Sequence, residues 1–223
     1  MQEVEFVCLA NSRKDSPGRC VAGLRMDNKK WIRPVSTFPN GTLYEEFRYE
    51  DREEAKLLDV IKVVLDAPRY YRHQPENWVL SNNPWILVRK VSLTEAESFL
   101  RDCVIARPNL LGNSIDRVSI AELRAKPMTE SLALVEPNEI KWRIRLQNTR
   151  QTRAVFKVNG QEYDWAITDP IWEQKLSHLQ IGDHDRGVGG VSGNDRVLFT
   201  VSLGELFKGY CYKLVAAVIV LPR

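Results

Sequence analysis

Six cations stand between Glu139 and Glu162 with no acid among them: Lys141, Arg143, Arg145, Arg150, Arg153 and Lys157. Lys141, Arg143 and Arg145 alternate with Trp142, Ile144 and Leu146. On a strand, that alternation puts the cations on one face and directs Trp142 toward the core on the other. Arg150 follows on the adjoining polar loop. A basic strand face beside a basic loop suits the tracking of a phosphate backbone. The same pattern describes a solvated outer sheet face whose cations guard an edge.

A second constellation is Arg69-Tyr70-Tyr71-Arg72-His73-Gln74-Pro75-Glu76-Asn77-Trp78. Rings interleaved with arginine suit base stacking and cation–π contact. The amides of Gln74 and Asn77 have the donor–acceptor pair that reads a base edge. The segment has neither helical nor strand period, so it reads as a loop, where function concentrates. The alternative is a structural loop whose Trp78 plugs a barrel. A third group is Arg13, Lys14 and Arg19 in or beside one loop, followed by Arg25, Lys29, Lys30 and Arg33, with Asp15 and Asp27 diluting the charge. Arginine is shaped for bidentate phosphate or guanine contacts, and an ordinary polar loop has the same composition.

Catalytic chemistry finds little footing. His73, His178 and His184 are the only histidines, and Asp183-His184-Asp185 is at most half of a metal site in a Gly-rich loop. Cys8, Cys20, Cys103 and Cys211 form no CxxC pair, which argues against a zinc knuckle. They read as reduced thiols, mostly in apolar runs. Gly187-Val188-Gly189-Gly190-Val191-Ser192-Gly193 is neither GxGxxG nor a P-loop and precedes a β-like run. No catalytic residue, metal ligand set or cofactor is assigned.

The chain has 223 residues, 43% of them apolar and 27% charged, with a formal net charge of +3. These values exclude collagen-like, coiled-coil and disordered classes. The small net charge means that a polyanion must be met by a local patch. No apolar run approaches the roughly 18 residues of a transmembrane helix. The acidic start Met1-Gln2-Glu3-Val4-Glu5 lacks the basic residues of a secretory leader, so a cytoplasmic protein that does not engage a membrane is expected.

Strand signals dominate the elements that position these groups. Residues 4–10, 20–26 and 31–35 read as strand, loop, strand, tight turn, strand, and residues 57–65 and 85–91 as further strands. A helix over 94–103 is expected from Thr94 and Glu97, and a short one from Ser119 and Glu122. Residues 153–158 and 161–168 flank Asn159-Gly160, the preferred pair for a type I′ hairpin. Strands over 196–203 and 210–221 close the chain. Both halves open with strand, basic loop, strand, tight turn and a strand carrying Trp31 or Trp165. The expected fold is mainly β: two tandem OB-like small barrels with a short helical connector. The first module and its connector cover residues 1–118, the second 119–223.

Three sets of residues carry a family resemblance. Cys8-Leu9-Ala10-Asn11-Ser12-Arg13-Lys14, Gly18-Arg19-Cys20-Val21-Ala22-Gly23 and Trp31-Ile32-Arg33-Pro34-Val35 resemble the opening of the dual OB-containing domain family of bacteria and archaea. His73-Gln74-Pro75-Glu76-Asn77-Trp78 resembles its central motif. Val201-Ser202-Leu203-Gly204-Glu205-Leu206-Phe207 and Gly209-Tyr210-Cys211-Tyr212-Lys213-Leu214-Val215-Ala216-Ala217 resemble its C-terminal signature, with Leu206 where that signature often has proline. The resemblance implies two OB-like modules, nucleic-acid binding, and association with prokaryotic conflict or defence systems.

The reading that joins these features is non-enzymatic binding of nucleic acid, single strands or ends in preference to duplex. Lys141, Arg143, Arg145 and Arg150 would capture phosphates, with stacking on Tyr70, Tyr71 or Trp78. Arg13, Lys14, Arg19, Arg33, Arg72, His73, Gln74 and Asn77 complete the candidate set. The alternatives are a nucleotide or small-molecule sensor with a pocket near residues 70–78, and an adaptor for a protein partner.

Overall fold

A computed structural model describes residues 1–45, 48–49 and 51–222. Two compact units divide the chain, Met1–Cys103 and Val104–Arg223.

In the first unit, β1 (Gln2–Arg13), β2 (Arg19–Arg25) and β3 (Trp31–Val35) form an antiparallel meander. β4 (Asp59–Pro68) and β5 (Asn77–Leu80) complete it in the order β1-β2-β3-β5-β4, and β4 returns to β1. β1 serves both neighbours because a bulge between Cys8 and Ala10 bends it: residues 2–7 pair with β4, and residues 6–13 with β2. The ring closes through a parallel contact, Arg33 opposite Asn77 and Pro34 opposite Trp78. This closed five-stranded ring is the OB barrel. Its interior holds Phe6, Val21, Ile32, Ile61, Val63, Leu65 and Trp85. β6 (Ile86–Lys90) lies on β4 beyond the ring, and α1 (Leu93–Arg101) follows. Ser92 caps α1 by accepting from the Glu95 amide, so the helix starts at Leu93, one residue before the expected Thr94, and ends at Arg101.

The second unit repeats the plan. β7 (Arg117–Ser119) leads into α2 (Ile120–Ala125), where Ser119 and Glu122 form the expected capping box. Then come β8 (Leu132–Val135), β9 (Glu139–Leu146), β10 (Arg150–Val158) and β11 (Gln161–Ile167). Asn159 and Gly160 take φ of 49° and 79°, as a type I′ turn requires. α3 (Pro170–Lys175) and β12 (Gly182–Asp185) precede the long hairpin of β13 (Arg196–Phe207) and β14 (Tyr210–Leu221). The order is β12-β9-β10-β11-β14-β13-β8, with β11 and β14 parallel. β8 and β9 are the two halves of what is one strand in the first barrel: β8 pairs with β13 and β9 with β10. Pro137, which has no amide hydrogen to donate, sits at the break. Trp142, Phe156, Tyr163, Trp165, Trp172 and Phe199 fill the interior.

The compact units meet after Cys103, earlier than the expected boundary at 118. The connector belongs to the second core: Leu110, Leu111 and Val118 are buried there, and the Ile105 amide donates to Leu134. Among the described residues no helix is long and apolar enough to cross a membrane.

Candidate functional site

The parallel closure of the first barrel claims three residues expected to read bases. Arg33 on β3 is 1% exposed, Gln74 3% and Asn77 1%. The Arg33 guanidinium donates to Asn77 Oδ1 at 3.0 Å and lies 3.9 Å from the Glu76 carboxylate. Asn77 Nδ2 donates to Gln74 Oε1 at 3.0 Å, and the Arg33 amide to the Glu76 carbonyl. These side chains stitch β3 to the strand entering β5 and do not reach solvent, which corrects their assignment as base contacts. Trp78 is half-buried and packs against the first core, the plug alternative.

The outer part of the same loop is different. Arg69 donates to the carbonyls of Ser36, Phe38 and Pro39 at 2.8–3.0 Å, and the Tyr71 hydroxyl donates to Pro39 at 3.0 Å. Lys14 donates to the Asn40 carbonyl, and Asn40 Nδ2 to the Asp15 carboxylate at 2.7 Å. The β1–β2 loop, the 36–41 segment and the β4–β5 loop are therefore one cluster. Arg69 sits 5.2 Å from the Tyr71 ring centroid, and His73 stacks on Tyr71 at 5.5 Å and 16°. Tyr71 is thus flanked by Arg69 and His73, whereas Tyr70 is 72% exposed and Phe38 49%. Phe38 is braced edge-on by Tyr44. Arg72 and Arg13 are exposed. Arg19 bonds the Pro17 carbonyl and Glu54. Phe38 and Tyr44 were not identified from sequence. They lie in irregular chain, and only the hydrogen bonds of Arg69 and Lys14 place that chain beside the loops.

The basic strand of the second unit is not uniformly cationic. Lys141, Arg143 and Arg145 share the outer face of β9, as alternation demands, with Trp142 buried behind them. Asp164 from β11 and Asp183 from β12 interleave with them. Arg143 bonds both carboxylates, Arg145 lies 2.7 Å from Asp164, and Arg153 also holds Asp164. The hydrogen bonds to Asp183 and Asp164 hold the Arg143 pKa above its ordinary value, and Arg143 depresses that of Asp183. Lys141 pairs in register with Asp185. Arg150 donates to the carbonyls of Leu176, Ser177 and Leu179 beyond the end of α3. The expectation of an acid-free phosphate track is corrected accordingly: the gap between Glu139 and Glu162 is real in sequence, but neighbouring strands supply the acids. Asp164, between inward Tyr163 and Trp165, was the legible signal.

Lys213 is the buried cation that charge counting missed. It is 1% exposed, and its ammonium donates to the carbonyls of Leu110 and Asn113 and to Asn113 Oδ1 at 2.6–2.8 Å. Burial pushes its pKa down to about 7, with Asp116 and Glu122 acting against that shift. Burial likewise raises the thiols of Cys8 and Cys211, the latter to about 11, which marks them as unreactive. His184 contacts the Gln180 carbonyl, and among the described residues no three His, Cys, Asp or Glu gather to hold a metal. A groove of about 450 Å³ is lined by Arg107, Leu111, Asn113, Glu122 and Met128, all of the second unit rather than of residues 70–78.

The model of the dual OB-containing domain matches residues 4–218. No curated protein matches the sequence. Among solved structures, the tetrameric p202 HIN2 aligns over 98% of this chain and 91% of its own, at 8% identity and a TM-score of 0.31.

Proposed function

Because the chain belongs to the dual OB-containing domain family, we propose that the loop end of its first barrel binds single-stranded nucleic acid without cleaving it. OB barrels engage oligonucleotides with the loops joining strands 1–2 and 4–5. In the first unit those are the Lys14 and Arg69–His73 loops. The observation that carries the reading is the common attachment of both loops to carbonyls of the 36–41 segment, which ties Lys14 and the loop bearing exposed Tyr70 and Arg72 to the segment that displays Phe38. Unpaired bases stack on Tyr70 and Phe38, and the cations meet the phosphates. Tyr71 and His73 stiffen the loop through their mutual stack. A duplex, whose bases are already stacked, gains less from such rings. The same chemistry admits a free nucleotide as a weaker ligand. A prokaryotic defence system is the context that the family resemblance implies, and the cytoplasm the setting expected from the acidic start Met1-Gln2-Glu3-Val4-Glu5.

The test is fluorescence polarisation with labelled single-stranded DNA, single-stranded RNA and duplex at two salt concentrations. Salt-sensitive binding that prefers a single strand and falls on Tyr70→Ala is expected. No binding to any of the three at low salt overturns the reading, and so does unchanged affinity in Tyr70→Ala with Phe38→Ala.

A further inference from the structure

The second barrel carries an exposed aromatic sheet face that the reading above does not use. Past Leu203 the β13–β14 hairpin runs on to a tight turn at Lys208 and Gly209, with φ of 48° and 85°. β7 adds a third strand along β14, so that Tyr210 faces Ser119 and Tyr212 faces Arg117. Strand alternation then sorts the side chains. Cys211 and Lys213 point inward and are buried. Tyr210 and Tyr212 point outward, joined by their register partners Phe207 and Arg117.

The outward groups form a row of rings, with Lys208 beside Phe207 at the turn end and Arg117 over the middle ring, Tyr210. Phe207 is 60% exposed and Tyr210 39%. The Lys208 ammonium is 5.3 Å from the Phe207 ring centroid, and the Arg117 guanidinium 5.0 Å from that of Tyr210. Tyr210 and Tyr212 lie 6.4 Å apart. Asp116 is 4.0 Å from Arg117 and leaves that side cationic only in part. The reverse side is anchored by the three hydrogen bonds of Lys213, which hold β14 from beneath. Rings fixed on a sheet lose little conformational freedom when a planar guest is laid on them.

We propose that this face is a second stacking platform for unpaired nucleobases, led by the open ring of Phe207 with Tyr210 and Tyr212 behind it, Lys208 at the turn and Arg117 on Tyr210. It rests on its own residues, not on the reading of the first barrel. Base–aromatic stacking tolerates any sequence, because every base has a π face. Cations beside the rings match a guest that alternates flat apolar bases with phosphates.

The experiment uses the full chain and a single-stranded DNA carrying photoreactive 5-iodo-deoxyuridine. Crosslinked peptides are mapped in the wild type, in Phe207→Ala with Tyr210→Ala, and in Tyr70→Ala with Phe38→Ala. Thermal melting checks that each variant folds, and Phe207→Tyr with Tyr210→Phe serves as the conservative control. The expected result is a crosslink within the β13–β14 hairpin that survives the first-barrel variant and the control. It disappears in the double truncation, whose affinity falls at least about fivefold. A wild type without a hairpin crosslink overturns the proposal, as does a double truncation with unchanged affinity. Loss of the hairpin crosslink in the first-barrel variant overturns the independence of the platform. If the truncation instead abolishes binding to vesicles of phosphatidylcholine and phosphatidylserine and spares oligonucleotide binding, the face is a membrane contact and the proposal fails.

Discussion

Each barrel buries one basic side chain where its ring closes, and the two differ in what that cation holds. Arg33 lies on the third strand of the first ring and holds Asn77 and Glu76, at the inner end of the loop between the fourth and fifth strands. Lys213 lies on the fifth strand of the second ring and holds carbonyls of the connector. In the first barrel the clip fixes the base of a long loop and leaves its outer half to display Tyr70 and Arg72. In the second, the corresponding connection is the tight Lys208-Gly209 turn, and the exposed rings Phe207 and Tyr210 lie on the hairpin strands themselves. The ring is common to both units, and the connections decide what each can meet.

The largest test of that comparison is to remove the clips. Arg33→Met removes the buried guanidinium from Asn77 and Glu76 and is expected to cost about 3–5 kcal/mol. Lys213→Met takes the ammonium from the Leu110 and Asn113 carbonyls, while Asn113 Oδ1 keeps the Ile115 amide, and is expected to cost about 3 kcal/mol. Calorimetry should show each variant destabilising chiefly its own unit; an equal loss in both would break the comparison. The Lys213 contribution also depends on pH. The unfolded lysine keeps its proton up to its ordinary 10.5, whereas the folded one releases it near 7. Between those values the unfolded chain binds more protons, so this group adds stability as pH rises. The gap between wild type and Lys213→Met should widen from pH 7 toward 10.5, and a constant gap would refute the assignment.

Smaller effects separate the faces. Tyr70→Ala should weaken single-strand binding by about 1–3 kcal/mol. Arg143→Ala with Arg145→Ala should leave both affinity and salt slope nearly unchanged, because Asp164 and Asp183 already neutralise these groups. A flattened salt slope would return the phosphate track to β9. Asp164→Asn removes the carboxylate that Arg143, Arg145 and Arg153 share, while Arg143 keeps Asp183. It should steepen the salt dependence of polyanion binding and cost on the order of 1–3 kcal/mol in stability. The smallest expected loss of stability is from Gly160→Ala, about 1 kcal/mol from an L-residue in the left-handed region, read as a shift in melting temperature.

What was legible in the sequence was local. Asn159-Gly160 announced its hairpin, and Ser119 with Glu122 its cap, because both signals act over a few residues. Alternation in β9 correctly turned Trp142 inward. The β3–β5 seam was opaque because Arg33 and Asn77 meet only when the ring closes. Their polar character suggested solvent, although a buried guanidinium with amide and carboxylate partners is equally polar. The acids on the β9 face were missed for the same reason: Asp164 and Asp183 arrive from other strands. The wider family pattern was legible across the whole chain, since Trp31-Ile32-Arg33-Pro34-Val35 and His73-Gln74-Pro75-Glu76-Asn77-Trp78 are the two sides of that one seam.

The break at Glu136-Pro137-Asn138 also bears on how the second barrel assembles. β9, β10 and β11 are neighbours in sequence and can pair on the microsecond scale of hairpins. β8 must wait for β13, whose register partners lie on the far side of the entire meander. Contacts so distant along the chain carry a large loop-closure entropy and form slowly. With the first strand cut at Pro137, the early meander receives no help in recruiting β8. Closure of the second ring is therefore expected to follow the meander, and pulse-labelling hydrogen exchange should show the β13 amides protected after those of β9–β11.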